Sequence, residues 1–515
     1  MKVVTAEAMR DAERLTIEKF GISGLTLMEA AGKSCSDLIL ADFGQGKKAS
    51  VAVIAGKGNN GGDGYVIARS LQQHGWEVKT YIVARRTDIA GDAAVNLALL
   101  DESSLFFCPE PGELSCYANE LAGADLIVDA LFGTGLNTSV RAVHAEAIEL
   151  INSSGRPVVA VDIPSGLDAT SGRVLGVAVK ASLTVAFAFA KVGHLLYPGA
   201  EYCGCLKIAE IGFPNEVLSG TVGYEFLDSE TIGPLLRKRE RGAHKGDYGH
   251  CLILAGSTGK SGSAVLAANS AVRTGSGLVT LAVPGALNGI VEIKTTEAMT
   301  LPLDDEGRGF VDERVFAEIL KASVGKSVLA LGPGVSWRPG TASLIRRLVS
   351  EIALPMVIDA DGLNALSEDV SVLLRKKSDS VILTPHPGEM SRLSGLSIAE
   401  IERDRIAIAR DFAQKYHVYL VLKGARTIIS TPEGGVAING SGNPGMASGG
   451  MGDVLTGIVA SLVGQGYSAD KACKIGVFLH GKAADLVAAD SGEIGITASD
   501  VQERLPFAMK KLMEI

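Results

Sequence analysis

Residues 50–71 pass from an unbroken apolar run, through a glycine-rich turn, into a segment with a helical period of apolar positions. A short continuous apolar run bounded by turn residues predicts a buried strand, and the period near 3.6 predicts a helix. The same order recurs along the N-terminal half. It predicts strands over 50–55, 77–83, 125–130, 157–162, 183–187 and 206–208. Helices fall between several of them, as at 64–73 and 142–153. This alternation predicts a largely parallel sheet covered by helices, the α/β class, in a Rossmann-like three-layer α/β/α domain. Ligands on such sheets sit at the carboxyl ends of strands. Three polar turns fall there, over 56–64, 129–139 and 162–168.

Near 210–246 the pattern breaks into turn residues and the charged stretch RKRERGAHKGDYGH. It then restarts, with strands predicted over 250–255, 277–283, 327–331, 355–359, 380–384 and 418–422 and a helix over 262–274. Short alternating segments at 427–431 and 435–439 predict antiparallel strands. A glycine-rich loop, 440–452, leads into a helix over 453–463. The expected organisation is a domain over 1–215, a linker over 216–234 and a second α/β domain over 235–515.

A length of 515 residues accommodates two such domains. Hydrophobic residues make up 47% and charged residues 21%, enough for a sizeable core in each half. The net charge of −9, without a Lys/Arg run, argues against a nucleic-acid or lipid surface. The seven cysteines are scattered without a C-x-x-C, as expected of thiols in a reducing cytoplasm. The start, MKVVTAEAMRDAERL, has no apolar core of a signal peptide, and no apolar stretch is long enough to span a bilayer.

Gly56-Lys57-Gly58-Asn59-Asn60-Gly61 fits G-x-G-x-x-G, the turn of a hydride-transferring dinucleotide enzyme. Its continuation does not suit that role. Asp63 stands near the predicted helix start, where its charge would oppose a pyrophosphate, and Arg85 and Arg86 replace the usual acidic residue after the second strand. Capping is the simpler use of a carboxylate at such a place. The other two turns add carboxylates, hydroxyls and amides: Asp129 with Gly-Thr-Gly, then Asp162-Ile-Pro-Ser-Gly-Leu-Asp168. Together they suggest a hard-cation or polar-ligand site.

The stretches AGKGNNGGDG, DALFGTGL and VDIPSGLD resemble the YjeF N-terminal domain, the NAD(P)H-hydrate epimerase. The likeness covers roughly 1–215, and G-N-N-G-G-D-G is far more specific than G-x-G-x-x-G. It implies that the damaged cofactor is bound by Asn59, Asn60, Gly61, Gly62 and Asp63 and by Gly133, Thr134, Gly135, Leu136, Asn137, Thr138 and Ser139. It further implies a potassium ion held by Asn60, Asp129 and Ser165, with Asp162 as the substrate-binding catalytic acid/base. A nicotinamide nucleotide would then bind as a substrate for repair, not as a hydride carrier.

In the second half AGSTGKSGSAVLA approaches a P-loop, but Leu254 stands where G-x-x-x-x-G-K-[ST] needs glycine. Gly332-Pro-Gly334, IDADGLNAL with Asp359 and Asp361, TPHPGEM with His386 and Glu389, and NPGMASGGMGDVLTG with Asp453 fall at strand ends or a helix start. Bare amides there can hold a transferring phosphoryl group, and a carboxylate can accept a hydroxyl proton. A plain N-cap for Asp453 and a structural turn role for His386 are the simpler alternatives. His480, on an apolar helical pattern, reads as structural.

HKGDYGH, TPHPGEM, VLKGARTII and NPGMASGGMGDVLTG resemble the YjeF C-terminal domain, the ADP/ATP-dependent NAD(P)H-hydrate dehydratase of the ribokinase-like superfamily, over roughly 235–510. That likeness implies a ribokinase-like α/β domain with a central, mostly parallel sheet. Asp453 would be the base on the substrate hydroxyl. Ala264, Gly334 and His386 would contact the hydrated nucleotide. Lys423, Gly424, Ala425, Arg426, Thr427 and Gly452 would contact ADP or ATP, with magnesium. The whole would be a cytoplasmic homo-oligomer acting on hydrated NADH and NADPH. Two alternatives are a ribokinase-like small-molecule kinase and a chain whose N-terminal half only binds nucleotide.

Overall fold

In the N-terminal half the odd and even positions of the strands at 50–55, 126–130 and 158–161 serve two different cores. A computed structural model describes residues 1–44 and 48–514. Its residue contacts divide the chain into two units, Lys2–Tyr224 and the residues from Glu225 onward.

In the first unit the strands are β1 (Lys2–Val4), β2 (Ser50–Ala55), β3 (Glu77–Ile82), β4 (Leu105–Phe107), β5 (Leu126–Ala130), β6 (Val158–Val161), β7 (Leu183–Phe187), β8 (Ala190–Lys191) and β9 (Cys205–Ala209). Seven of them form one sheet in the order β4-β3-β2-β5-β6-β7-β9, with every pairing parallel. Val51, Val53 and Ala55 point into one core, and Ala52 and Ile54 into the other. Strands covered on both faces read as continuous apolar runs, which is why 50–55 shows no alternation. β1 and β8, outside this sheet, pair with each other in parallel.

Strand order reverses between β2 and β5, so the crevice beyond their carboxyl ends is where this fold receives ligands. Its walls are the turn after β2 and the loop after β5. Helix Asn59–Gln73 begins five residues before its predicted start. The reason is packing. Gly61 lies so close under the turn that a Cβ there would fall 1.9 Å from the Gly56 carbonyl oxygen. Gly61→Ala is therefore expected to lower stability by about 1–3 kcal/mol, measured as a fall in the unfolding midpoint of the full chain.

The second unit contains β10 (Tyr224–Leu227), β11 (His250–Leu254), β12 (Leu278–Pro284), β13 (Met299–Leu303), β14 (Val328–Leu331), β15 (Met356–Ile358), β16 (Val381–Leu383), β17 (Tyr419–Leu422), β18 (Ile428–Ser430) and β19 (Val436–Asn439). They run in the order β13-β12-β11-β14-β15-β16-β17-β18-β19-β10. β18 is antiparallel to both neighbours, and the other pairings are parallel. The predicted antiparallel pair is therefore present. Within 216–234 the chain forms β10 and helix Ser229–Ile232, and Leu227 and Ile232 are fully buried. Helix Met451–Gly464 is apolar nearly all round and lies in the core, as such helices must. All seven cysteines are free thiols. Among the described residues no helix is long and apolar enough to cross a membrane.

Candidate active sites

In the first unit, helix Asn59–Gln73 is capped by Gly58, which has no side chain to bond the first amides. An uncapped start of this kind leaves amide donors for an anion. Asn60, Gly61, Gly62 and Asp63 are buried in the first turns, whereas Asn59 is exposed. Asp63 is therefore not the N-cap. Burial, with Asp162 and Glu13 nearby, raises its proton affinity well above that of an ordinary carboxyl. That shift weakens the charge objection read from the sequence, because it favours the uncharged form of Asp63.

Asp129 is the last residue but one of β5 and is fully buried. Its Oδ1 accepts from Ser165 Oγ at 2.6 Å and its Oδ2 from the Ser165 amide at 2.8 Å. Burial pushes Asp129 up to about 6 despite those bonds. Asn60 packs on the Gly133 backbone, where a Cβ would meet its Oδ1 at 3.2 Å, and its Nδ2 is buried without a partner. Along the 133–139 loop, Gly133, Thr134 and Leu136 are half-buried, while Gly135, Asn137, Thr138 and Ser139 are exposed.

Asp162 was expected to close a strand. The strand stops at Val161, because Asp162 takes a left-handed backbone with φ +65°. Such strain in a non-glycine residue is kept where surrounding structure enforces it. Here the enforcement is a buried ion pair. Lys191 Nζ donates to Asp162 Oδ1 at 2.5 Å and to the Phe187 carbonyl at 3.1 Å, and the Phe187 amide donates to the same Oδ1 at 3.2 Å.

In the second unit the strand order reverses between β11 and β14. The loops beyond them meet where Ser257 Oγ donates to the Gly334 carbonyl at 2.7 Å. Lys260, from the near-P-loop, pairs with Asp361 at 2.8 Å, so its charge is already engaged. Beneath lies a buried network. Asp359 accepts from Lys423 Nζ at 2.7 Å and from Thr456 Oγ1 at 2.9 Å. Glu389 Oε2 stands 3.7 Å from the same ammonium. Burial disfavours the Lys423 charge, but Asp359, Glu389 and Asp453 outweigh it and hold its proton affinity above normal.

Helix Met451–Gly464 starts over this pair: a Cβ on Gly452 would lie 3.2 Å from Lys423 Nζ and 3.3 Å from Asp359 Oδ2. Its N-cap is Gly450, again without a side-chain cap, so Asp453 is the third helical residue and not the cap. Burial pushes Asp453 up to about 6, against a hydrogen bond from Ser263. Ser263 precedes Ala264, which is fully buried. His386 caps helix Pro387–Ser394, its Nδ1 accepting from the amides of Gly388 and Glu389. The 423–427 loop is clasped by Arg405, which donates to the carbonyls of Leu422, Lys423 and Ala425. Gly424 and Arg426 take positive φ there, and Thr427 Oγ1 bonds back to the Gly424 carbonyl.

Two families match the chain: YjeF-related protein N-terminus over residues 24–193 and NAD(P)H-hydrate dehydratase over 251–506. A bifunctional NAD(P)H-hydrate repair enzyme of Moorella thermoacetica is 41% identical over all of this chain and 98% of its own length. The chain belongs to the bifunctional NAD(P)H-hydrate repair enzyme family. The Escherichia coli member is 32% identical over 96% of this chain and 92% of its own. A crystal structure of the Bacillus subtilis ADP/ATP-dependent NAD(P)H-hydrate dehydratase, co-crystallised with ATP/Mg2+, is 28% identical. It covers 56% of this chain and 99% of its own, at TM-score 0.50. The two-domain α/β reading agrees with these repair-family relatives, and the second half shares the fold of the Bacillus subtilis dehydratase.

The fold thus brings Asp63 and Asp162 to one cluster, holds Asn60 against the Gly133 loop, and joins Asp129 to Ser165. It also sets Asp453 and Gly452 over Lys423. Sequence reasoning missed Lys191, His194, Thr456 and Arg405, and it noted Asp359 and Glu389 without a role. One signal was available for Lys191. It is a lone ionisable residue in the apolar stretch AFAFAKVG, and such a residue, once buried, needs a partner.

Proposed function

We propose that the chain repairs hydrated NADH and NADPH in two steps, exchanging the R and S epimers in the first unit and dehydrating the S epimer in the second. The observation that carries the second step is the placement of Asp453. A carboxyl pushed up to about 6 stands in the first turn of an uncapped helix, over the Lys423–Asp359 pair. This is a base beside an anion cradle. Hydroxide leaves poorly from C6 of the damaged ring. Asp453 takes the hydroxyl proton as the oxygen attacks the terminal phosphoryl group of ADP or ATP. The C6–O bond then breaks with phosphate as leaving group, the N1 lone pair assisting, and loss of a C5 proton restores the dihydronicotinamide. We assign the nucleotide to the 423–427 loop and Gly452, and the ring to Ala264, Gly334 and His386. Asp359 and Glu389 are already bonded to protein groups, so magnesium would be carried by phosphate oxygens and water.

In the first unit Asp162 would exchange the proton at the C6 oxygen, with the substrate on the 59–63 turn and the 133–139 loop. The site also suits potassium. Asp129 is a buried carboxylate beside Ser165 with no counter-cation among the described residues, and Asn60 can contribute its amide oxygen. An oxygen-only set is what a hard cation takes. Potassium bound there would fix the two loops and neutralise Asp129. Replacing potassium by lithium is expected to slow epimer exchange and lower the unfolding midpoint, and Asn60→Ala to slow exchange about 10²-fold. Rates and midpoints that ignore both changes would remove the ion from this account. A cytoplasmic homo-oligomer completes the proposal, and sedimentation tests its assembly.

A further inference from the structure

Lys191 has no part in the roles assigned above, yet it is among the largest fully buried side chains in the protein. It ends the two-residue strand β8, 29 positions after Asp162. Among the described residues its ammonium bonds only to Asp162 Oδ1 and the Phe187 carbonyl. The Phe187 amide also reaches Oδ1, so among the described residues every hydrogen bond to this carboxyl converges on one oxygen and Oδ2 takes none. A carboxylate with neither oxygen held rotates broadly about its last torsion. One held by two donors on a single oxygen presents the other in a fixed direction.

The charges around the pair point the same way. Asp63 and Glu13 are the other carboxyls facing Asp162, and burial raises the proton affinity of both. His194 Nδ1 accepts from the Lys191 amide, and burial together with the Lys191 charge pushes His194 down to about 3, which keeps it neutral. Among the described residues Lys191 is thus the one cation facing three carboxyls, and it bonds to one of them.

We infer that Lys191 is a positioning residue of the epimerase site: it pins Oδ1 of Asp162 so that Oδ2 meets the C6 hydroxyl. This rests on the epimerase reading of the first unit. The step it serves is a proton transfer. Oδ2 takes the proton from the C6 oxygen, the C6–N1 bond breaks to leave a C6 aldehyde with the electron pair on N1 and its conjugated amide, N1 adds back to the opposite face, and Oδ2 returns the proton, so no atom is gained or lost.

The experiment follows exchange in the full chain with potassium but no nucleotide, starting from the R epimer of hydrated NADH. Lys191→Met is expected to lower kcat about 10²-fold with KM nearly unchanged. Lys191→Arg should recover much of the rate. Dehydration of the S epimer, with nucleotide, reads whether each variant is folded. Should Lys191→Met not fold, the pair Asp162→Asn with Lys191→Met removes both buried charges. It should exchange no more slowly than Asp162→Asn alone, and a further full loss would overturn the inference. So would a Lys191→Met enzyme that Lys191→Arg does not rescue and whose rate merely tracks its unfolding midpoint. Absence of exchange in the unmodified chain overturns the epimerase reading and this inference with it. Exchange that survives Lys191→Met intact overturns the inference alone.

Discussion

Asp162→Ala is expected to stop interconversion of the R and S epimers while leaving dehydration of the S epimer intact. The argument is geometric. Asp162 is held at φ +65° by a buried ion pair and a backbone amide, both on Oδ1, and among the described residues nothing bonds its Oδ2. General acid–base groups contribute about 10²–10⁴ in rate, so exchange should fall to near the spontaneous background. Removing one partner of a buried pair also destabilises, by about 3–5 kcal/mol. Asp162→Asn, which keeps the shape, is therefore the companion variant. If either variant exchanges epimers at the unmodified rate, Asp162 is not the group that moves the proton.

The second large effect lies in the other unit. Asp453→Asn should abolish dehydration of the S epimer by about 10²–10⁴-fold and leave epimer exchange unchanged. The unmodified enzyme carries a pH signature of the same group. Asp453 is a base only when ionised, and burial pushes it up to about 6. Dehydration should therefore be flat above that value and fall as the pH drops through it. Asp453→Asn should lose this limb together with the rate. A variant that dehydrates normally, or an unmodified enzyme indifferent to pH between 5 and 7, would remove Asp453 from the chemistry.

Much of this was legible before the structure. Buried parallel strands announce themselves as unbroken apolar runs, so Leu183–Phe187 and Ser50–Ala55 were placed to the residue. The short strands Lys2–Val4 and Ala190–Lys191 escaped, because two or three residues carry no period. The helix at Asn59 was entered too late. Its glycines read as a turn, whereas Gly61 is there to let the helix lie against the Gly56 carbonyl. The last residue of the 157–162 run was misjudged because a left-handed aspartate looks extended in sequence. Motifs such as G-N-N-G-G-D-G carry the ligand-facing residues but not what supports them. Lys191 with Asp162, Thr456 with Asp359, and Arg405 with the 423–427 loop are joined only by folding, across 29, 97 and 18 to 20 positions.

The most direct test of two working sites in one chain is the recovery of dihydronicotinamide absorbance from an equal mixture of R and S hydrated NADH, with potassium, magnesium and ADP or ATP. The account predicts complete recovery of both epimers, with half remaining unrecovered in Asp162→Ala. Recovery of the S epimer alone by the unmodified protein would contradict the epimerase half, and no recovery with either nucleotide would contradict the dehydratase half.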